Sequence, residues 1–380
     1  MSDPQSESSG YTPPGRIPIK AWDKTVLEKH CQTAVLLELH TIPMYLFPMY
    51  AVKEDDDQNG AVSTIRGIVL EEMLHMALAG NLSCALGFQP ILYGVDYTPT
   101  YPRGIFYEKT MMNLWPPNHA AMTSFVKIER PLPVPKHPQG PPLAADYPTI
   151  GEFYNDLMAG LKRLAGGSPE LFDPSTENRQ FSYGEDHVYP TPDLHAITDL
   201  SSAKKALTLI KEQGEGAESV DGGQHKPSHW TKFKNLEKIY ADNGSIPHYA
   251  TIENPNTSAI TGDIQKAMLA SDAAYCYLLL TIEKSWAPGY DRKKLVANVT
   301  PLMRDVMAPI AKWLVTQKLD GSEKHAAPPF NYFPFDLKKS VLNQLVDAIQ
   351  AAVNSYPNAE GLTNALDEAK QLSDIPILDA

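Results

Sequence analysis

The sequence predicts an all-α protein built on a four-helix bundle, with a long Pro-rich crossover and additional C-terminal helices. Three observations predict it: long stretches place apolar residues at the spacing of a helix face, few segments alternate as strands do, and two of the longest helical stretches carry carboxylates among aliphatic residues. The first two set the fold class. The third points to chemistry inside the bundle.

The first helix is predicted over about residues 25–50, where Val26, His30, Ala34, Leu37 and Thr41 fall on neighbouring turns. Pro43 and Pro48 each remove a backbone hydrogen bond, so the helix is expected to bend or tighten after Thr41. The second is predicted over 63–86, with Ser63 as candidate N-cap and Gly87 as the stop. From Phe88 to Tyr147 the chain is rich in proline and aromatics, including Pro131-Leu132-Pro133-Val134-Pro135 and Pro141-Pro142, which excludes one regular helix. A connection this long usually spans a bundle or lids a pocket. A third helix is predicted over about 149–165 and a fourth over 201–214. Ser228 can cap a fifth that carries Trp230, Phe233, Leu236 and Tyr240, and at least three more amphipathic helices follow, near 261–286, 293–318 and 336–353.

Composition narrows the functions open to such a chain. No run of eighteen apolar residues suggests a membrane span, and a formal net charge of -12 without clustered Lys and Arg disfavours nucleic acid and anionic membrane. Small-molecule or protein partners are expected instead. Cys31, Cys84 and Cys276 lie far apart in apolar stretches and read as buried thiols of a reducing compartment, not as a zinc site or disulfide framework. The polar, Ser- and Pro-rich N-terminus lacks the apolar core of a secretory signal. Residues 1–19 are therefore expected to be a disordered leader on a cytoplasmic protein.

A carboxylate buried ionised among aliphatic side chains costs several kcal/mol unless a partner or a metal meets it. Within Ile68-Val69-Leu70-Glu71-Glu72-Met73-Leu74-His75-Met76, Glu72 and His75 point from one face of adjacent turns, where a single metal can take both, although a solvated surface pair has the same spacing. Glu71 lies about 100° round the helix and is expected to face elsewhere. Glu38 interrupts Ala34-Val35-Leu36-Leu37-Glu38-Leu39 with no basic residue within a turn, so it needs a cation from another helix. His40 falls on a nearly opposite face and reads as an ordinary histidine. Thr149 with Glu152 fits a capping box as well as a ligand position. At the end of the fourth helix Glu212 and Glu215 are three apart, and beyond the glycines His225 and His229 are the available imidazoles.

These residues resemble the ferritin-like domains of the iminophenyl-pyruvate dimer synthase type, which are related to a region of bacterial enzymes that assemble bisindole pigments. The matching pieces are Leu36-Leu37-Glu38-Leu39 with Thr41-Ile42-Pro43, Glu71-Glu72-Met73-Leu74-His75-Met76, Pro148-Thr149-Ile150-Gly151-Glu152-Phe153-Tyr154, Glu212-Gln213-Gly214-Glu215-Gly216, Ser228-His229-Trp230 with Phe233, and Ala327-Pro328-Pro329-Phe330. They run in order over about residues 20–330. The resemblance implies metal ligands at Glu38, Glu72, His75, Glu152, Glu215 and His229, the four carboxylates and two imidazoles of a two-metal bundle. It departs from that pattern in the second half, where Glu-x-x-His is absent, so Glu212 stands as an alternative to Glu215 and His225 to His229.

Oxygen donors with imidazole suit two iron ions, or alternatively manganese. The expected activity is a metal-dependent oxidoreductase using O2 on a small organic substrate in specialised metabolism. Coupling of amino-acid-derived imines, as the resemblance implies, is one alternative, and a non-catalytic metal-binding or scaffold protein is another. The expected organisation is a metal-binding bundle over 20–245 and a C-terminal helical region over 246–380. That region is a candidate both for covering the site and for a homodimer interface.

Overall fold

The computed structural model describes residues 11–53, 60–104, 111–131, 147, 149–168, 170–184, 191–214, 227–242 and 246–376. Over these residues the chain is helical, with one antiparallel ladder of two-residue strands, β1 (Arg103–Gly104) and β2 (Met111–Met112), as its sheet structure. The Pro-rich runs within 132–146 lie outside the described residues.

Helix α1 (Lys24–Ala51) starts where the Asp23 carboxylate accepts the Val26 N–H at 2.8 Å. It continues as α-helix through Pro43 and Pro48 instead of tightening past Thr41. Every residue from Thr33 to Pro48 is buried, so packing on all sides compensates the hydrogen bonds that the prolines remove. Helix α2 (Ala61–Ala85) begins two residues before the expected cap. Gly60, in the left-handed region at φ 68°, occupies the cap position, and Ser63 Oγ donates to Gly60 O at 3.0 Å. Gly87 ends it as expected, at φ 76° with its N–H on Cys84 O.

The crossover contains a helix the sequence did not predict, α3 (His119–Ile128), whose N-terminus is capped by the Asn118 side chain on Ala121 N–H and whose C-cap residue is Glu129. Helices α4 (Ile150–Gly167), α5 (Leu200–Gly214) and α6 (His229–Asp242) follow close to their expected places, with Thr149 and Ser228 accepting the Glu152 and Thr231 amides as caps. Residues 11–18 are not a free leader. The Tyr11 amide donates to Asp96 O, its hydroxyl bonds Thr33 Oγ1 at 2.9 Å, and Arg16 pairs with Asp156 at 2.7 Å.

Helix α1 packs along α2, α3 against α6 and α4 against α5, while α2 also meets α5 and α6. The C-terminal helices α7 (Asp263–Trp286), α8 (Arg292–Pro301), α9 (Ala308–Thr316), α10 (Val341–Ser355) and α11 (Glu360–Ala369) form a second group. The predicted 293–318 helix is divided by a π turn at Leu302–Met307. This group closes on the first through α7 against α2 and α9 against α1. The α2–α7 contact is close because Gly80 has no Cβ, and one placed there would sit 2.2 Å from the Trp286 ring.

Candidate metal centre

Four helices deliver the functional side chains to one point. Glu38 comes from the middle of α1, Glu72 and His75 from α2, Glu129 from the end of α3 and His229 from the first turn of α6. Glu38, Glu72, His75 and His229 are buried, and the Glu129 side chain is 10% exposed.

The donors fall into two groups that share one residue. Glu38, Glu72 and His75 bring one ligand atom each within 4.8 Å of one another, and so do Glu72, Glu129 and His229. His75 Nδ1 lies 3.3 Å from Glu38 Oε2 and 3.8 Å from Glu72 Oε2. His229 Nδ1 lies 2.8 Å from Glu72 Oε1 and 3.8 Å from Glu129 Oε1. Glu72 thus turns one oxygen to each group.

Both imidazoles face inward with Nδ1 and are tied outward through Nε2. His75 Nε2 meets Gln213 Oε1 at 2.8 Å, and His229 Nε2 meets Glu71 Oε2 at 3.0 Å, with Lys232 on that same carboxylate. A neutral ring that donates outward through Nε2–H presents the lone pair of Nδ1 to the interior, as a metal-binding histidine does. The outer carboxylates are held alike: Tyr154 donates its hydroxyl to Glu38 and Tyr45 donates its own to Glu129 at 2.5 Å.

The charges show how much this cluster depends on a cation. Burial pushes the Glu38 carboxyl up to about 7, with the Glu72 charge adding to the push against His75. Burial raises Glu129 as well, again with Glu72 behind it. Burial also works against ionised Glu72, yet His229 and His75 hold it well below its usual range. Burial opposes charge on His75, but Glu38 and Glu72 lift it to about 9. His229 rises above its ordinary value for the same reason, through Glu72, Glu129 and Glu71. Protons therefore do in the metal-free protein what a metal ion would do.

The donor set fits a metal at both groups. His229 Nδ1 is buried and has no hydrogen bond of acceptable geometry despite its nearness to Glu72, so once its proton leaves it has no partner to give up before meeting a cation. Carboxylate and imidazole together suit iron or manganese. A cavity of about 40 Å³ opens among Glu38, Glu72, His75 and Glu129, with Leu37, Ile128, Ile150 and Ile210 as apolar walls. Beside it, a groove of about 390 Å³ runs between α4 and α5, floored by Met158 and Leu207 and flanked by Lys162, Lys204 and Lys211. Tyr154 and Lys211 border both spaces.

Of the six ligands expected from the resemblance, Glu38, Glu72, His75 and His229 are brought together. Glu152 is not. Its side chain faces Arg16, which also holds Asp156, and its backbone amide donates to the Thr149 cap, so the Thr149 half of the capping box forms while the Glu152 carboxylate pairs with Arg16. Glu215 and His225 lie outside the described residues, and Glu212 is exposed on α5 and belongs to neither group. His40 is buried elsewhere, with Nε2 3.5 Å from Tyr97 O.

Glu129 was missed because its helix was hidden in the Pro-rich crossover. A signal was present, since it is the one acidic residue between Glu108 and Asp146 and it follows Phe125, Val126 and Ile128, an apolar stretch broken only by Lys127. Glu71 was expected to face elsewhere. It does leave the centre of the cluster, but only far enough to hold the outer nitrogen of His229.

Comparison with known proteins agrees with this architecture. The chain is 25% identical over 318 residues to dichlorochromopyrrolate synthase of Lentzea aerocolonigenes, an alignment covering 71% of this chain and 30% of that enzyme. The chain thus spans less than a third of that relative's length. A crystal structure of a ferritin like protein from Caulobacter vibrioides superposes with a TM-score of 0.52 at 23% identity, covering 74% of this chain and 95% of the other, which shows a shared fold. A family model described as Ferritin-like matches residues 31–238, a stretch from within α1 into α6 that carries every side chain of the centre, and the chain belongs to the ferritin-like family.

Proposed function

We propose that the chain is a two-metal carboxylate oxidoreductase that acts with O2 on a small organic substrate in specialised metabolism. One observation carries the reading: Glu72 is shared between two buried donor groups, each completed by one further glutamate and one imidazole with Nδ1 turned inward. Two iron ions, or manganese, bound there would supply the electrons that reduce dioxygen.

The side chains divide the remaining work. Tyr154 and Tyr45 fix the orientation of Glu38 and Glu129, so that their free oxygens face the cavity. Leu37, Ile128, Ile150 and Ile210 keep bulk water from it, which strengthens the electrostatic interactions inside. The groove between α4 and α5 is the proposed substrate approach, with apolar contacts from Met158 and Leu207 and lysines along its rim. Glu215, next in sequence to Gly214 at the cavity wall, is retained as a proposed further carboxylate.

The resemblance to the iminophenyl-pyruvate dimer synthase type gives a second reading, the coupling of amino-acid-derived imines, and the similarity to dichlorochromopyrrolate synthase supports a synthase of that general kind. Oxygen consumption by anaerobically iron-loaded protein, measured with and without candidate substrates, tests the proposal. Substrate-stimulated uptake that is lost in Glu72→Ala is expected. Two bound irons per chain with no uptake under any substrate would instead mark a non-catalytic metal protein.

A further inference from the structure

The two donor groups are built alike except at one place. Each has a terminal glutamate held by one tyrosine, a share of Glu72, and a histidine with Nδ1 inward. Among the described residues they differ in what holds the outer nitrogen of the histidine. His75 donates to the neutral amide oxygen of Gln213, on the last turn of α5, and His229 donates to the Glu71 carboxylate. Glu71 is anchored in turn by Lys232, one turn after His229 on α6, so the three side chains form a chain from the α6 surface to the centre.

An imidazole that donates to a carboxylate gains anionic character and becomes a stronger donor at its other nitrogen, whereas an amide acceptor polarises it far less. We infer that the two metal positions are unequal, the one formed by Glu72, Glu129 and His229 binding first and more tightly, with Glu71 as the positioning residue that makes it so. The position formed by Glu38, Glu72 and His75 fills second and exchanges its metal more readily. This rests on the two-metal reading above and adds an order of filling to it. The weaker position is also the one whose Glu38 is held by Tyr154, a residue that borders the groove, so a metal held there would be the one nearer the proposed substrate approach.

The test is a calorimetric titration of metal-free protein with Mn2+, paired with the electron paramagnetic resonance signal of unbound Mn2+. Wild type is expected to bind in two unequal steps. Glu71→Gln should weaken the tighter step by about 10–100-fold, the usual cost of losing a partner to a metal-bound histidine, and leave the weaker step in place. Gln213→Glu should strengthen the weaker step. Lys232→Met breaks the same ion pair but keeps the carboxylate on His229, so it should leave the tighter step unchanged or tighter; weakening equal to that of Glu71→Gln would reduce Glu71 to a structural role and overturn the inference. Two equal steps, or two steps that neither Glu71→Gln nor Gln213→Glu moves, would overturn it while leaving the two-metal reading intact. Absence of Mn2+ binding to wild type would remove both.

Discussion

Nδ1 of His229 lies 2.8 Å from Oε1 of Glu72, yet the pair forms no hydrogen bond of acceptable geometry. Two buried groups this close, one anionic and one able to donate, would normally align if their only purpose were to satisfy each other. With the other oxygen of Glu72 turned to His75, the arrangement makes sense as a frame for cations.

The position of Glu129 against that of Glu152 gives the sharpest contrast between variants. Glu129→Ala removes a donor from one group and is expected to lower bound metal from two toward about one per chain. Glu152→Ala breaks a partly exposed pair with Arg16 and should keep full metal content while costing about 0–1 kcal/mol of stability. Elemental analysis and urea denaturation of both variants check this. Equal metal loss in the two would return Glu152 to the site.

Metal uptake should depend on pH with a definite sign. In the metal-free protein His75 is lifted to about 9, so near neutrality a metal must displace its proton, and affinity should rise with pH toward about 9. Calorimetry in buffers of different ionisation enthalpy should register proton release on binding. The stability of the metal-free protein runs the other way. A histidine whose folded value exceeds its ordinary 6.5 stabilises fully below 6.5 and loses that contribution as pH rises through about 9. The melting temperature of metal-free protein should fall across that window, and His75→Ala should flatten the fall.

The seam between the two helical groups should tolerate no added atom at Gly80. A methyl there meets the Trp286 ring, whose Nε1 is tied to Asn81 Oδ1 at 3.0 Å and cannot easily turn away. Gly80→Ala should destabilise by about 1–3 kcal/mol through overpacking. Gly67→Ala, on the same helix with open space around it, should be neutral or slightly stabilising. Urea midpoints for the two variants decide it.

Much of this was legible in the chain, for reasons that particular residues make plain. The helices holding Glu38, Glu72 and His75 are long and apolar, so a carboxylate within them stands out whatever the tertiary contacts are. Pro43 and Pro48 pointed to a bend or tightening after Thr41, and the stretch stays α-helical through both because it is buried on every side. Glu152 was ambiguous because a helix cap and a ligand have the same local spacing, and its partner, Arg16, is 136 residues away in sequence. Glu129 was hidden because α3 is short and set among prolines, so its place depends on packing against α6. The link from Glu71 to His229 spans 158 residues and has no local signature.

The central claim is that Glu72 serves two metals at once, and the metal content of protein produced with added iron tests it most directly. Wild type should carry about two irons per chain and Glu72→Ala close to none, with an unchanged helical circular dichroism spectrum showing that the variant still folds. Equal iron in the two, whether two per chain or negligible, would contradict it.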